Sequence, residues 1–263
     1  MTNEYIQRMK YLGIEPNFFC SEEYFKKADF EEEWNDRAFW YSYEGDIMLP
    51  PIPSYPEFYK STDKIWLGLD GIDKPKGWIR EFFDYEFIYD PRNFLQMSGG
   101  DWATFRKNIK KFPKRYHKEC KYILLEDYSP TDEEITELFI SWLNSDKDSG
   151  IHDPDIIFEY LLRGRNRAFL VDEEGILLGI NCWDYNWKFI NFRFCFVDPN
   201  YPFLSEYMRY LFYTSEVCLG DKRLVNDGGN LDNENLHRFK LKMNPVEIRT
   251  MWSWRKSKPW FAS

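Results

Sequence analysis

The chain has 263 residues, 43% of them hydrophobic and 20% aromatic, with a formal charge of −9. That content is enough for a sizeable core and excludes an intrinsically disordered chain. A pI near 5.1 argues against a general binder of nucleic acid or anionic membrane, while leaving room for a local basic patch. The five cysteines (Cys20, Cys120, Cys182, Cys195, Cys218) and three histidines (His117, His152, His237) are scattered and form no CxxC. Neither a disulfide nor a metal site is therefore expected. The first residues hold no apolar signal core and no segment approaches 18 uninterrupted apolar residues. A cytoplasmic, reduced protein without membrane insertion is the expectation.

Residues 3–12 and 21–34 carry helical patterns, the second opening at Ser21 with Glu22 and Glu23 in its first turn. RAFWYSYEGDIMLPPIP reads as a hairpin about Glu44-Gly45-Asp46, ended by the prolines from position 50 on. KIWLGL (64–69) reads as a strand and PKGWIREFF (75–83) as a short helix, with another helix around 101–112. CKYILLED (120–127) is a strand, and the helix after it is capped by Ser129 or Thr131 with acids in its first turn. A second helix spans 153–165, a hairpin turns around Glu173-Glu174-Gly175, and FINFRFCFV is a long strand. Residues 202–217 are helical, and EIRTMWSW closes the chain as a strand. From residue 120 on, the order β-α-α-β-β-β-α-β-α-β implies a mixed α/β architecture, sheets covered by helices. A boundary near residue 120 leaves an N-terminal half, 1–120, and a C-terminal half, 121–263.

Between the helix at 202–217 and the closing strand lies RLVNDGGNLDNENLHRFKLKMNP, residues 223–245. An EF-hand reading fails: counted from Asp227, Gly229 and Leu231 occupy ligand positions and carry no side-chain oxygen. As local structure, Val225 ends a strand and Asn230 or Asp232 caps a helix whose Leu236, Phe239 and Met243 share a face.

The element order is the one found in GNAT-type acyltransferases, and particular residues sharpen the likeness. Asn226, Gly229, Leu231, Leu236, Arg238, Lys240 and Pro245 keep the register of a strand ending in Asn, a glycine turn, then Leu, a basic pair, Lys and Pro. Residues 84–112 keep Arg106, Asn108, Ile109 and Phe112 of a basic helix that follows a Tyr-rich strand; CSEEYF and the hairpin at 38–49 also fit. On these patches the chain resembles the family named after the C-terminal domain of phosphatidylglycerol lysyltransferase. The resemblance implies two tandem GNAT-like halves, each a mixed β-sheet covered by helices. It implies a transferase moving an acyl or aminoacyl group from an activated donor, a coenzyme A thioester or an aminoacyl-tRNA, to an amine acceptor. The other reading is a catalytically silent binding protein that keeps the tandem fold.

The sequence departs from the pattern in three places. Gly228 and Asn230 stand where the family's turn carries acids, and Gly100-Asp101 where lysines precede the basic helix. Asp198-Pro199-Asn200-Tyr201-Pro202 stands where acetyltransferases place a Gly-rich loop whose amides cradle the coenzyme A pyrophosphate. Its two prolines have no N–H to offer.

Transfer to an amine needs a proton acceptor and donors for the developing oxyanion. The candidates are Asp184, Tyr185, Asn226 and Asp227, with Asn226 donating to a carbonyl oxygen and Asp227 taking the amine's proton. The last two are equally suited to stabilising the turn. Gly228 and Gly229 would let a ligand approach the main chain. Arg106, Lys110 and Lys114 share one helical face, fit either for phosphates of the donor or for solvent. Lys240 either binds phosphate or caps its helix, and Trp183, Trp187, Trp252 and Trp254 either stack on a planar group or fill the core.

Overall fold

The computed structural model of the chain describes residues 3–54, 57–116, 119–145 and 154–257; His117 and His152 lie outside the described residues. Contacts divide the chain into one unit of Met1–Glu86 and Arg249–Ser263 and another of Phe87–Ile248. The sequence boundary near residue 120 falls inside the second of these, and both dividing points lie within strands.

In the first unit, α1 (Glu4–Tyr11) is capped by the Asn3 side chain and α2 (Glu22–Lys27) by Ser21, whose hydroxyl accepts from the Tyr24 amide at 3.0 Å. The helix expected to reach residue 34 stops earlier: Ala28 caps α2, Asp29 takes a φ of 52°, and Glu31–Trp34 becomes β1. β1, β2 (Phe39–Tyr43) and β3 (Asp46–Ile52) form an antiparallel sheet in that order. Its hairpin turns at Glu44 (φ 50°) and Gly45 (φ 86°), left-handed angles that match the twist of the flanking strands. Pro50 and Pro51 lie within β3 rather than after it: β3 is an edge strand, and its register with β2 shifts where they stand, between Tyr41↔Leu49 and Phe39↔Ile52. After α3 (Phe58–Ser61) and β4 (Lys64–Gly68) comes β5 (Trp78–Tyr89). The short helix expected over 75–83 is thus a strand. Trp78, Ile79, Phe82, Phe83, Tyr85 and Phe87 are residues whose β preference outweighs a brief helical spacing.

The second unit holds α4 (Asn93–Gln96), α5 (Ala103–Ile109), α6 (Lys111–Tyr116), β6 (Cys120–Leu124), α7 (Asp132–Ser145) and α8 (Pro154–Arg163). There follow β7 (Asn166–Asp172), β8 (Leu177–Tyr185), β9 (Phe189–Val197), α9 (Leu204–Tyr213), α10 (Glu216–Leu219), β10 (Leu224–Asn226) and α11 (Glu234–Leu241). The last strand, β11 (Glu247–Lys256), leaves the second unit after Ile248 and belongs from Arg249 on to the first. The end of β5 pairs with β10, and the order continues β9-β8-β7-β6. Since β9 and β10 run parallel and the other pairs antiparallel, the sheet is mixed, as expected. Phe139 of α7 meets Phe196 at 5.0 Å and Tyr160 of α8 meets Phe194 at 5.5 Å on one face. On the other, Phe112 of α6 and Leu204 and Met208 of α9 pack with Leu170, Leu178 and Val197.

Pro113 splits the helix expected around 101–112. Its ring collides with the Ile109 carbonyl and offers that oxygen no hydrogen, so α5 ends at Ile109 and α6 begins at Lys111. Thr131, one of the two expected caps, starts α7 with a reciprocal box. The Glu134 amide donates to its hydroxyl at 3.2 Å, and the Thr131 amide donates to the Glu134 carboxylate at 2.8 Å. Thr131→Ala should lower stability by about 1 kcal/mol, read as a shift in urea midpoint with the slope unchanged.

Candidate functional site

β10 lies between β9 and the end of β5, and Val225 and Asn226 are both fully enclosed. Alternation along the strand sends consecutive side chains to opposite faces. Asn226 faces the side covered by α8, in a row with Asn191 of β9 and Asp184 of β8 across the register. Asp227 faces α9.

The Asp184 row is a closed hydrogen-bonded cluster. Tyr160 donates its hydroxyl to Asp184 Oδ2 at 2.5 Å, and Asn191 Nδ2 donates to Oδ1 at 2.8 Å. Arg193 grips the same carboxylate with Nε at 2.7 Å and Nη2 at 3.1 Å. Arg193 lies two residues along β9 from Asn191, so alternation brings both side chains to this face. The register with β8 shifts at this point, between Cys182↔Phe194 and Trp183↔Phe192. Side chains of the ion pair are 0% and 1% exposed. Asp184 is therefore placed to hold β8, β9 and α8 together.

Asn226 also works inward. Its Oδ1 accepts from the Gly228 amide at 2.9 Å, closing a local turn. The Asp227 amide then donates to the Phe87 carbonyl at 3.0 Å and the Phe87 amide to the Gly228 carbonyl at 3.1 Å. Two residues face one across the ladder, and Gly228 takes a φ of +61° that a side chain would resist. Gly229 follows, half-buried. Beyond it Leu231 (φ 51°) and Asp232 (φ 55°) are left-handed, so the helix expected to be capped at Asn230 or Asp232 is capped instead by Asn233.

Asp227 is the centre of the opposite face. Its Oδ2 accepts from the Tyr213 hydroxyl at 3.1 Å and from Arg209 Nε at 3.4 Å, while Lys240 Nζ lies 3.2 Å from Oδ1. Lys240 also donates to the Asp227 carbonyl and rests 5.6 Å from the centroid of the Phe87 ring. Tyr89 donates to the Lys240 carbonyl at 2.9 Å. Burial, then the Asp227 charge, push the Tyr213 and Tyr89 hydroxyls well above their ordinary range, so both stay neutral donors.

The structure brings Asp227, Gly228 and Lys240 into direct contact and places Asn226 beside them on the other face. It does not bring the remaining candidates to them. Tyr185 lies beside the start of β10: it accepts from Trp183 Nε1 at 2.9 Å, and the Arg223 guanidinium is 4.5 Å from its ring centroid. Burial raises its hydroxyl as well. Arg106 donates to the carbonyls of Met97 and Gly99 in the loop before α5, whereas Lys110 and Lys114 are exposed. The single face expected for these three is broken at Lys110, between the two helices. In the 198–202 turn, Asp198 Oδ1 accepts from the Asn200 amide at 2.9 Å, and its carbonyl accepts from the Tyr201 amide at 3.2 Å. Those two N–H groups are thus engaged within the turn itself. The five cysteines are free, no group of three His, Cys, Asp or Glu residues suited to a metal occurs among the described residues, and no described helix is long and apolar enough to cross a membrane.

Arg193, Tyr160, Arg209 and Tyr213 were not singled out in the sequence. The two tyrosines sit within apolar helix faces that read as core, and Arg193 lies in a strand with no pattern to mark it. Arg209 left one signal, a charge inside the apolar stripe of α9.

No protein-family model matches the chain, and comparison with curated proteins finds no match. Among solved structures, a conserved protein of unknown function from Bacteroides thetaiotaomicron superposes with a TM-score of 0.67 at 15% identity, covering 91% of this chain and 90% of that one. The C-terminal domain (DUF2156) of a putative lysylphosphatidylglycerol synthetase from Agrobacterium fabrum gives 0.64 at 12% identity, with 97% and 92% covered. L-PGS from Bacillus licheniformis gives 0.60 at 16%, with 96% and 88% covered. The chain thus has the mixed α/β fold of these structures. The resemblance read from the sequence patches pointed to this same fold.

Two expected outcomes follow from the buried bonds. Arg193→Met should cost roughly 3–5 kcal/mol by stranding Asp184, and pairing it with Asp184→Leu should recover much of that loss in denaturant unfolding. Asn226→Ala should cost about 1–3 kcal/mol by leaving the buried Gly228 amide without its acceptor. A melting temperature unchanged in that variant would return Asn226 to a role at the substrate.

Proposed function

We propose that the chain is a transferase that moves an acyl or aminoacyl group from an activated donor to an amine acceptor. The observation that carries this reading is the likeness in fold to a putative lysylphosphatidylglycerol synthetase domain and to L-PGS, over 97% and 96% of the chain. The amine nitrogen attacks the ester or thioester carbonyl carbon, and the donor's oxygen or sulfur leaves with the proton. Asp227 is already paired with Arg209 and Lys240. Its part in the reading is to fix those cations and Tyr213, so that orientation and electrostatics supply the rate.

Between the two donors, an aminoacyl-tRNA is favoured over a coenzyme A thioester. Support comes from the exposed Lys107, Lys110, Lys114 and Arg115 on α5 and α6, and from the engaged amides of the 198–202 turn. A second reading, a silent binding protein, draws on one observation: Asp184 and Asp227 are both held by buried cations.

Transfer of a labelled group from aminoacyl-tRNA, or from acetyl-coenzyme A, to a panel of amines tests both. The expected result is transfer from the tRNA ester. Lys110→Glu with Lys114→Glu should weaken tRNA binding and flatten its dependence on salt by about one to two in the log–log slope. Binding of tRNA without transfer to any amine would support the silent reading, and equal slopes would leave α5 and α6 as a solvated face.

A further inference from the structure

Arg209 is oriented on every side but one. The residue is 8% exposed, on the face of α9 that meets the sheet. Nε points to Asp227 Oδ2 at 3.4 Å, and Nη1 donates to Ser205 Oγ, one turn earlier, at 2.7 Å. The guanidinium carbon lies 4.9 Å from the centroid of the Phe239 ring and 5.4 Å from that of Phe192. Two hydrogen bonds and two aromatic rings therefore hold the group in place. Nη2 bonds to no described residue. Burial works against the charge, and the neighbouring Asp227 carboxylate favours it.

A guanidinium is a planar fork whose edges match the two oxygens of a carboxylate or a phosphoryl group. The Arg209 edge that carries Nη2 is not among the enclosed polar atoms without a partner, so it is open to solvent and to a ligand. A flexible surface arginine would swing such an edge through many orientations; this one is held in a single one, since rotation would lose Asp227, Ser205 and the aromatic contacts. We infer that Arg209 Nη2 is the recognition point for a substrate oxyanion, a carboxylate or a phosphoryl oxygen, with Asp227 and Ser205 as positioning residues. The inference goes beyond the transfer reading by assigning the substrate group that is held, and its test requires no turnover.

The protein is titrated with inorganic phosphate and, separately, with acetate, against chloride at matched ionic strength. Melting temperature and the guanidinium 15N signals of arginine-labelled protein are followed. Phosphate or acetate should raise the melting temperature and move the Arg209 signals; which of the two does so assigns the phosphoryl or the carboxylate source. Arg209→Lys keeps the charge but loses the fork, and it should weaken the response by at least about tenfold. If that variant does not fold, Ser205→Ala, which frees Nη1 while keeping the Asp227 pair, should weaken the response as well. Arg209 signals unmoved by either anion, or a response equal to wild type in the variants, would overturn the inference. Anion binding lost in Arg209→Lys with no transfer by wild type would leave the inference standing and remove the transferase reading. Transfer with no anion response would do the reverse.

Discussion

The Asp227 carboxylate is the constraint on which the second unit's sheet end depends. It draws one cation from α9 and one from α11, and a neutral hydroxyl from α9, onto the residue that follows β10. A carboxylate at that depth is tolerated only when its charge is matched and its oxygens are bonded. The match in turn sets where two helices sit. α11 is fixed through Lys240, whose ammonium also meets the Asp227 carbonyl and whose own carbonyl receives Tyr89. The left-handed Gly228 permits this, since it lets the chain leave the ladder just after the carboxylate has been presented.

A second charged cluster occupies the other face of the same sheet. Asp184 and Arg193 are built much as Asp227 and Arg209 are, yet the two differ in one respect that decides their use. Arg193 binds Asp184 through two nitrogens, with both side chains shut away. Arg209 touches Asp227 through Nε alone and gives its other bond to a serine of its own helix. The first geometry closes the fork on a protein carboxylate. The second holds the fork steady and leaves an edge of it uncommitted.

Local signals made much of the fold legible. The Ser21 and Thr131 caps, the turn at Glu44 and Gly45 and the element order after residue 120 all depend on residues within four of one another. The failures have equally local causes that compete with a stronger pattern. Pro113 stood in plain sight, but the charge spacing of Arg106, Lys110 and Lys114 drew one helix through it. In 75–83 a short helical spacing masked a run of aromatic and β-branched residues. The site was legible in part. Asn226, Asp227, Gly228 and Lys240 were marked by the turn, whereas Arg209 and Tyr213 reach that turn only through the packing of α9, which no nearby residue announces.

The difference between the faces also explains why adjacent residues at one turn have separate parts. Asn226 and Asp227 are neighbours in sequence, but alternation divides them by the thickness of the sheet. Asn226, with Asn191 and Asp184, extends a polar row beneath α8 that joins three strands and one helix. A group so enclosed stabilises. Asp227 lies on the face where a fixed arginine keeps a free edge, so this face, and not the strand-end asparagine, is where the sheet's polar residues can meet something other than one another.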